Sequence, residues 1–194
     1  MPVMRRLRYL GLKWLASAWL VLGRQAAADA VFDRMVVEFP GDAYAMASRA
    51  HLWVQAGRRE DAERLLSEVV RLHSQDARHW FNLGFIREEL ADLEGAHAAL
   101  QRATELSPTL DRAWYGLGLV LIRMHRLDEA LEALRKNTQL QPMSPYGWYQ
   151  LARVHVDRHE PVEARKIIRH LKRFEPKVAA QLERETGIFV STAG

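Results

Sequence analysis

His155 and His159 stand four residues apart, a spacing that on a helix turns two imidazoles to one side and could begin a metal site. No third ligand is spaced to join them, and the chain has no cysteine, so zinc-thiolate, disulfide and thiolate chemistry are excluded. Glu88-Glu89 and Asp128-Glu129 are carboxylate pairs. Adjacent residues on a helix diverge by about 100°, so neither pair can flank one scissile bond. No serine falls in a nucleophile motif with a histidine and an acid. The glycines of WFNLG (Trp80–Gly84) and WYGLG (Trp114–Gly118) lack the GxGxxG or GxxxxGK spacing of a phosphate loop, and no strand precedes them. These residue types point to recognition by arginines and aromatic rings; the sequence reads as non-enzymatic, with no cofactor and no metal.

Composition agrees with that reading. The 194 residues are 48% hydrophobic and 27% charged, ordinary for a globular chain, with a formal charge of +4. Acidic and basic residues are interleaved, as in Arg58-Arg59-Glu60-Asp61, which describes a solvated helix face better than a nucleic-acid footprint. An acidic partner is permitted but not required.

What must position the recognising residues is a repeat. Trp80, Trp114 and Trp148 are each 34 residues from the next. Pro108, Pro142 and Pro176 keep the same step, with Pro40 two steps before Pro108, and Ala28, Ala62, Ala96, Ala130 and Ala164 hold it through five members. Three residue types in mutual register define units at 9–42, 43–76, 77–110, 111–144 and 145–178, with a tail at 179–194. In the third unit Trp80, Leu83, Gly84 and Arg87 mark one helix, and Ala96, Leu100 and Ala103 a second. Leu90-Ala91-Asp92 forms the turn between them, and Ser107-Pro108 ends the second helix. No window alternates with a period of two, so the chain is expected to be all-α.

A helix–turn–helix unit of this length, with W-x2-L-G, a later alanine and a terminal proline, resembles the tetratricopeptide repeat (TPR). Units three and four are near-consensus, and the fifth has Ala152 in place of the glycine. The second is looser, with Ser74 where proline is expected; the first is weakest but keeps Ala16, Ala28, Phe32 and Pro40. The resemblance implies a right-handed superhelical α-solenoid of five units with a short C-terminal helical cap at 179–194, its inner face lined by the first helix of each unit.

Close helix approach explains the small residues: Gly84 is expected to face Ala96, Gly118 to face Ala130, and Ala152 to face Ala164. Leu83, Leu117 and Leu151 should be buried, whereas Arg49 holds their place in the second unit and needs a carboxylate such as Asp29 or Asp61. Asn137 replaces Ala103 of the preceding unit and needs a local hydrogen-bond partner. His155 replaces Trp53 and Leu121 and reads as structural; His125 and His159 read as turn caps.

The resemblance places function on residues of each first helix that point away from its partner. These are Arg78, Phe81, Asn82 and Phe85 in the third unit, and Arg112, Tyr115, Leu119 and Arg123 in the fourth. The fifth adds Tyr146, Tyr149, Gln150 and Arg153. Arginine with tyrosine and phenylalanine is the composition of a binding surface. Some relatives clamp a terminal carboxylate with basic residues and asparagines on successive units. Asn82 and Arg112 match two such places, but Ala47, His51 and Gly116 depart from the pattern, so that clamp is incomplete. The expected activity is a scaffold or adaptor that holds a protein or peptide with acidic and apolar residues.

Two alternatives remain at this level. Single-stranded RNA could thread a helical-repeat surface, although the modest basic excess disfavours nucleic acid. An accessory subunit could instead dock through the apolar N-terminus. There MPVMRRLR precedes YLGLKWLASAWLVLG, which reads passably as a signal or anchor. Lys13 interrupts the run, however, and the repeat register continues through Leu15, Ala16 and Ala28, so an intact first repeat in a cytoplasmic protein is expected. Its apolar Trp14, Trp19 and Leu20 then become a docking surface, with membrane contact through residues 7–23 as one use.

Overall fold

A computed structural model describes residues 2–191, and among these the chain forms eleven α-helices and no strand. They are α1 (Pro2–Val21), α2 (Gln25–Glu38), α3 (Ala43–Gln55), α4 (Arg59–Leu72) and α5 (Ala77–Glu89). There follow α6 (Leu93–Leu106), α7 (Asp111–Arg123), α8 (Leu127–Leu140), α9 (Pro145–Asp157), α10 (Pro161–Lys172) and α11 (Pro176–Thr186). The expected tail is helical in its first part, and its last three residues lie outside the described residues. The fold is the all-α helical-hairpin class anticipated from the period.

Local chemistry sets the boundaries. Asp42, Asp76 and Asp92 each accept a backbone N–H of the first turn that follows, supplying the N-caps of α3, α5 and α6. Pro145, Pro161 and Pro176 start helices where a missing N–H costs nothing. Between paired helices the turn passes through a left-handed residue at Gly23, Gly57, Ala91, His125 and His159, again 34 residues apart. The two histidines therefore sit in the left-handed position that terminates a helix, a conformation that glycine adopts without penalty.

The chain divides into two compact units, Met1–Ala91 and Asp92–Gly194. In the first, α1 packs with α2, α2 with α3, α3 with α4, and α4 with α5. Its core gathers Leu12, Ala16, Ala28, Phe32, Met35 and Ala45, with Tyr9 and Trp19 against the edge. Arg49 is held by Asp29 at 3.1 Å and Asp33 at 2.5 Å, and its guanidinium lies over Trp53. That is one expected partner and one unexpected. Leu83 is buried as the period requires, but Leu15 at the same place in the first repeat is 43% exposed. The reason is that no helix among the described residues packs on that side of α1.

In the second unit α6 packs with α7, α7 with α8, α8 with α9 and α9 with α10, and α11 rests on α9 and α10. Leu151, Ala152, Ile168 and Leu171 form the core with Ala179, Leu182 and Val190 from the tail. A buried Glu183 accepts Lys172 Nζ at 2.7 Å and the Val190 N–H at 2.6 Å, fastening the segment after α11. Lys172 also donates to the Val190 carbonyl.

Three glycines of this unit have bulky neighbours, Gly116 facing Leu100 and the other two set more tightly. A Cβ on Gly118 would meet Leu134 Cγ and Cδ2 at 2.8 Å, so the nearest side chain the glycine makes room for is a leucine. A Cβ on Gly147 would come 2.2 Å from Asn137 Oδ1. Asn137 is buried and donates to the Asp111 carbonyl at 2.9 Å, the local partner its position called for. One period earlier the corresponding residues are Ala103 and Ala113, so a larger side chain on one helix is matched by a smaller one on the next.

Candidate functional site

The repeating tryptophans settle the frame on which any site is built. Trp80, Trp114 and Trp148 donate their indole N–H to the carbonyls of Ser74, Pro108 and Pro142 at 2.9, 2.9 and 2.8 Å. Each bond reaches back six residues across the connection to the preceding helix. This fixes how α5, α7 and α9 leave those connections, and it accounts for the shared register of tryptophan and proline. Trp148 also packs against His170, the rings tilted with centroids 4.5 Å apart.

In the first unit, α3 and α5 border an open groove of about 460 Å³ lined by Tyr44, Ala47, Ser48, Asp76, Arg78 and Asn82, with His73 and His79 at its edge. Arg78 turns back along its own helix start. Its Nε and Nη2 donate to the two Asp76 oxygens at 3.0 and 2.6 Å, and its backbone N–H donates to the same carboxylate at 2.9 Å. These bonds, led by the guanidinium's, hold the Asp76 carboxyl down to about 2. Burial pushes the His79 imidazole below its usual range, against the pull of Asp76. Phe81 is half-buried and Phe85 exposed, and neither lines this groove.

In the second unit an open groove of about 550 Å³ runs between α7 and the α8–α9 connection. Arg112, Tyr115 and Tyr146 line it together, as do Asp111, Asn137, Gln141 and Ser144. Asn137 is anchored by its bond to Asp111, with its side-chain oxygen against Gly147. Tyr146 stands 69% exposed at the rim. Leu119 is half-buried and Arg123 exposed further along α7, outside this lining.

Tyr149 and Arg153 are committed elsewhere. Tyr149 donates its hydroxyl to Glu185 of α11 at 2.5 Å, which raises the phenol's pKa, and the Arg153 guanidinium lies 5.8 Å from the Tyr149 ring centroid. Gln150 beside them is half-buried. Sequence reasoning singled out Arg112, Tyr115 and Tyr146 but missed Gln141 and Ser144, which lie in the connection and not on a first helix. The departure of Asn137 from the period was the signal for its place in the groove lining.

His155 is buried, with Nδ1 2.6 Å from Glu160 Oε2, and it faces a carboxylate that is itself bound by Arg158. Among the described residues no three histidines, cysteines or carboxylates converge as metal ligands would. At the N-terminus Trp14 is 77% exposed and Leu20 exposed, whereas Trp19 packs inward against the core with Arg24 over its ring.

A sequence profile for the tetratricopeptide repeat matches residues 48–111 and 86–145, together just over half of the chain. No curated protein matches the sequence. Among solved structures, a MamA protein shares 20% identity and a TM-score of 0.79 over 94% of this chain and 97% of its own. PilF of Pseudomonas aeruginosa shares 23% and 0.75 over 93% and 91%. YrrB, described as a TPR protein with an unusual peptide-binding site, shares 19% and 0.75 over 87% and 88%. At these identities the likeness shows a common fold.

Proposed function

We propose that this chain, which belongs to the tetratricopeptide repeat family, works as a non-catalytic scaffold that holds an extended segment of a partner protein. The observation that carries the reading is the groove of the second unit, where Arg112, Tyr115 and Tyr146 meet Asp111, Asn137, Gln141 and Ser144 on one open concavity. An arginine brings a positive charge that suits a carboxylate, two tyrosine rings offer apolar faces, and the amide of Gln141 suits an extended backbone. The occupant that fits is a peptide carrying an acidic residue beside an apolar one. Because the helices already hold these side chains in place, little ordering entropy opposes binding. The described peptide-binding site of YrrB, on a similar fold, supports the same reading.

Selection from a random peptide library tests it. The chain should enrich acidic-apolar sequences, and Arg112→Glu should shift enrichment away from acidic residues. Tyr115→Ala and Tyr146→Ala should each weaken a selected peptide by about tenfold, the scale of an interface anchor. Helicity should be unchanged. If no consensus emerges, or if all three variants select the wild-type consensus with wild-type affinity, the groove is not the site.

A further inference from the structure

Helix α1 has two faces. Its inner face, carrying Tyr9, Leu12, Ala16 and Trp19, packs into the core of the first unit. Its outer face is apolar along its whole length. Met4, Leu7, Gly11, Trp14, Ala18 and Val21 follow one another at steps of three and four and are all exposed. With Val3, Leu10, Leu15 and Leu22 beside them they fill an arc of roughly 140° at 3.6 residues per turn. Trp14 is exposed at its centre.

The charges carried by the helix itself have one sign. Arg5, Arg6, Arg8 and Lys13 are the helix's ionisable cations, and it contains no aspartate or glutamate. Arg6 borders the stripe on one side and Arg8 on the other; Arg5 lies over the Phe39 ring and Lys13 over the Tyr44 ring. Two acidic groups reach the helix from elsewhere: Glu38, which binds Arg8 at 2.7 Å and Arg34 at 2.8 Å, and Asp42, which accepts the Tyr9 hydroxyl on the inner face. Met4, Leu7, Phe39, Arg5 and Arg8 with Glu38 border an open hollow of about 630 Å³ at the start of the helix.

The geometry points to α1 as an interfacial helix that lays the chain on an anionic lipid bilayer. Its stripe enters the headgroup–acyl boundary and its flanking arginines meet lipid phosphates. Three features favour lipid. Flanking residues of one sign would repel a second copy of the same stripe, whereas helix–helix seams carry mixed charges at their flanks. The arc is wider than such a seam. An exposed tryptophan in a basic, acid-free helix is the composition that partitions into an interface. No helix among the described residues is long and apolar enough to cross a membrane, so the contact would lie in the plane of the surface.

Flotation of the chain with vesicles tests this. The chain should float with vesicles of phosphatidylcholine containing phosphatidylglycerol and not with phosphatidylcholine alone, and added salt should release it. Trp14→Glu and Leu7→Glu alter exposed side chains, so circular dichroism should match wild type, while lipid partitioning should fall at least tenfold, on the scale expected for putting a charge where an apolar group was buried. Arg6→Glu leaves the stripe intact and should weaken binding to anionic vesicles by about fivefold or more, given the usual contribution of one basic residue near an anionic surface. The inference is overturned by absence of flotation, by equal binding to neutral vesicles, or by wild-type binding of Trp14→Glu. It is equally overturned if the chain ignores vesicles but sediments as a dimer that Trp14→Glu dissociates, because a second copy then covers the stripe.

Discussion

Replacing Gly147 by alanine should destabilise the second unit, and replacing Asn137 at the same time should rescue it. A Cβ at position 147 would sit 2.2 Å from Asn137 Oδ1, 3.3 Å from its Cγ and 3.1 Å from Thr138 Cγ2. Asn137 must therefore move, giving up its bond to the Asp111 carbonyl and leaving a buried amide unpaired. Overpacking of this kind costs about 1–3 kcal/mol and an unpaired buried polar group about 1–3 kcal/mol more. Alanine recovers about 0.5–1 kcal/mol over glycine inside a helix, so Gly147→Ala should cost about 1–5.5 kcal/mol net. Asn137→Ala alone loses one hydrogen bond and leaves a small void, about 1–2 kcal/mol. The double variant restores the pair that Ala103 and Ala113 form one period earlier, and only the Thr138 methyl must give by a few tenths of an ångström. It should lie within about 1 kcal/mol of wild type, a favourable coupling of at least about 1 kcal/mol. Urea unfolding followed by circular dichroism reads all four proteins, with equal m-values required before energies are compared, because repeat arrays can unfold in parts. A double variant as unstable as the two single losses added together would refute the size-exchange argument.

Two further outcomes are expected. His125→Gly and His159→Gly should each raise stability by about 0.5–1 kcal/mol, because both histidines hold a left-handed conformation while exposed to solvent; unchanged or lower melting temperatures would show a hidden role for the imidazoles. Asp76→Asn keeps a capping oxygen but removes the ion pair with Arg78. The folded carboxyl titrates at about 2, below the unfolded value of about 3.9, so the ion pair stabilises above pH 4 and the contribution fades as pH falls toward 2. Wild type should therefore melt higher than Asp76→Asn at pH 5 and converge with it near pH 2; parallel melting curves across that range would contradict the assignment.

The period carried most of the architecture. Ser107 and Pro108 follow the last residue of α6, and Leu90-Ala91-Asp92 is the turn between α5 and α6, because proline and helix-capping residues act locally and are readable one at a time. Burial of Ala28, Ala62, Ala96, Ala130 and Ala164 is complete, as a recurring small residue at a crossing should be. What escaped depends on contacts that the period does not encode. The side chain nearest Gly118 is that of Leu134, one helical turn beyond the alanine that matched it by spacing. Tyr149 looked available until α11, outside the repeat frame, supplied Glu185 from 36 residues away. The groove beside Arg112 owes three of its seven lining residues to Asn137, Gln141 and Ser144, none of which lies on the first helix of a unit.

The exchange of size between Asn137 and Gly147 also bears on how such a chain can change by recombination between its own repeats. Loss of one 34-residue period between those positions and their counterparts would pair Ala103 with Gly147, which leaves only a small gap. Gain of a period at the same junction would pair Asn137 with Ala113, placing a methyl where the structure has room for a hydrogen. At this junction the gene can shorten more easily than it can lengthen. Repeats that share a spacing are not thereby interchangeable parts.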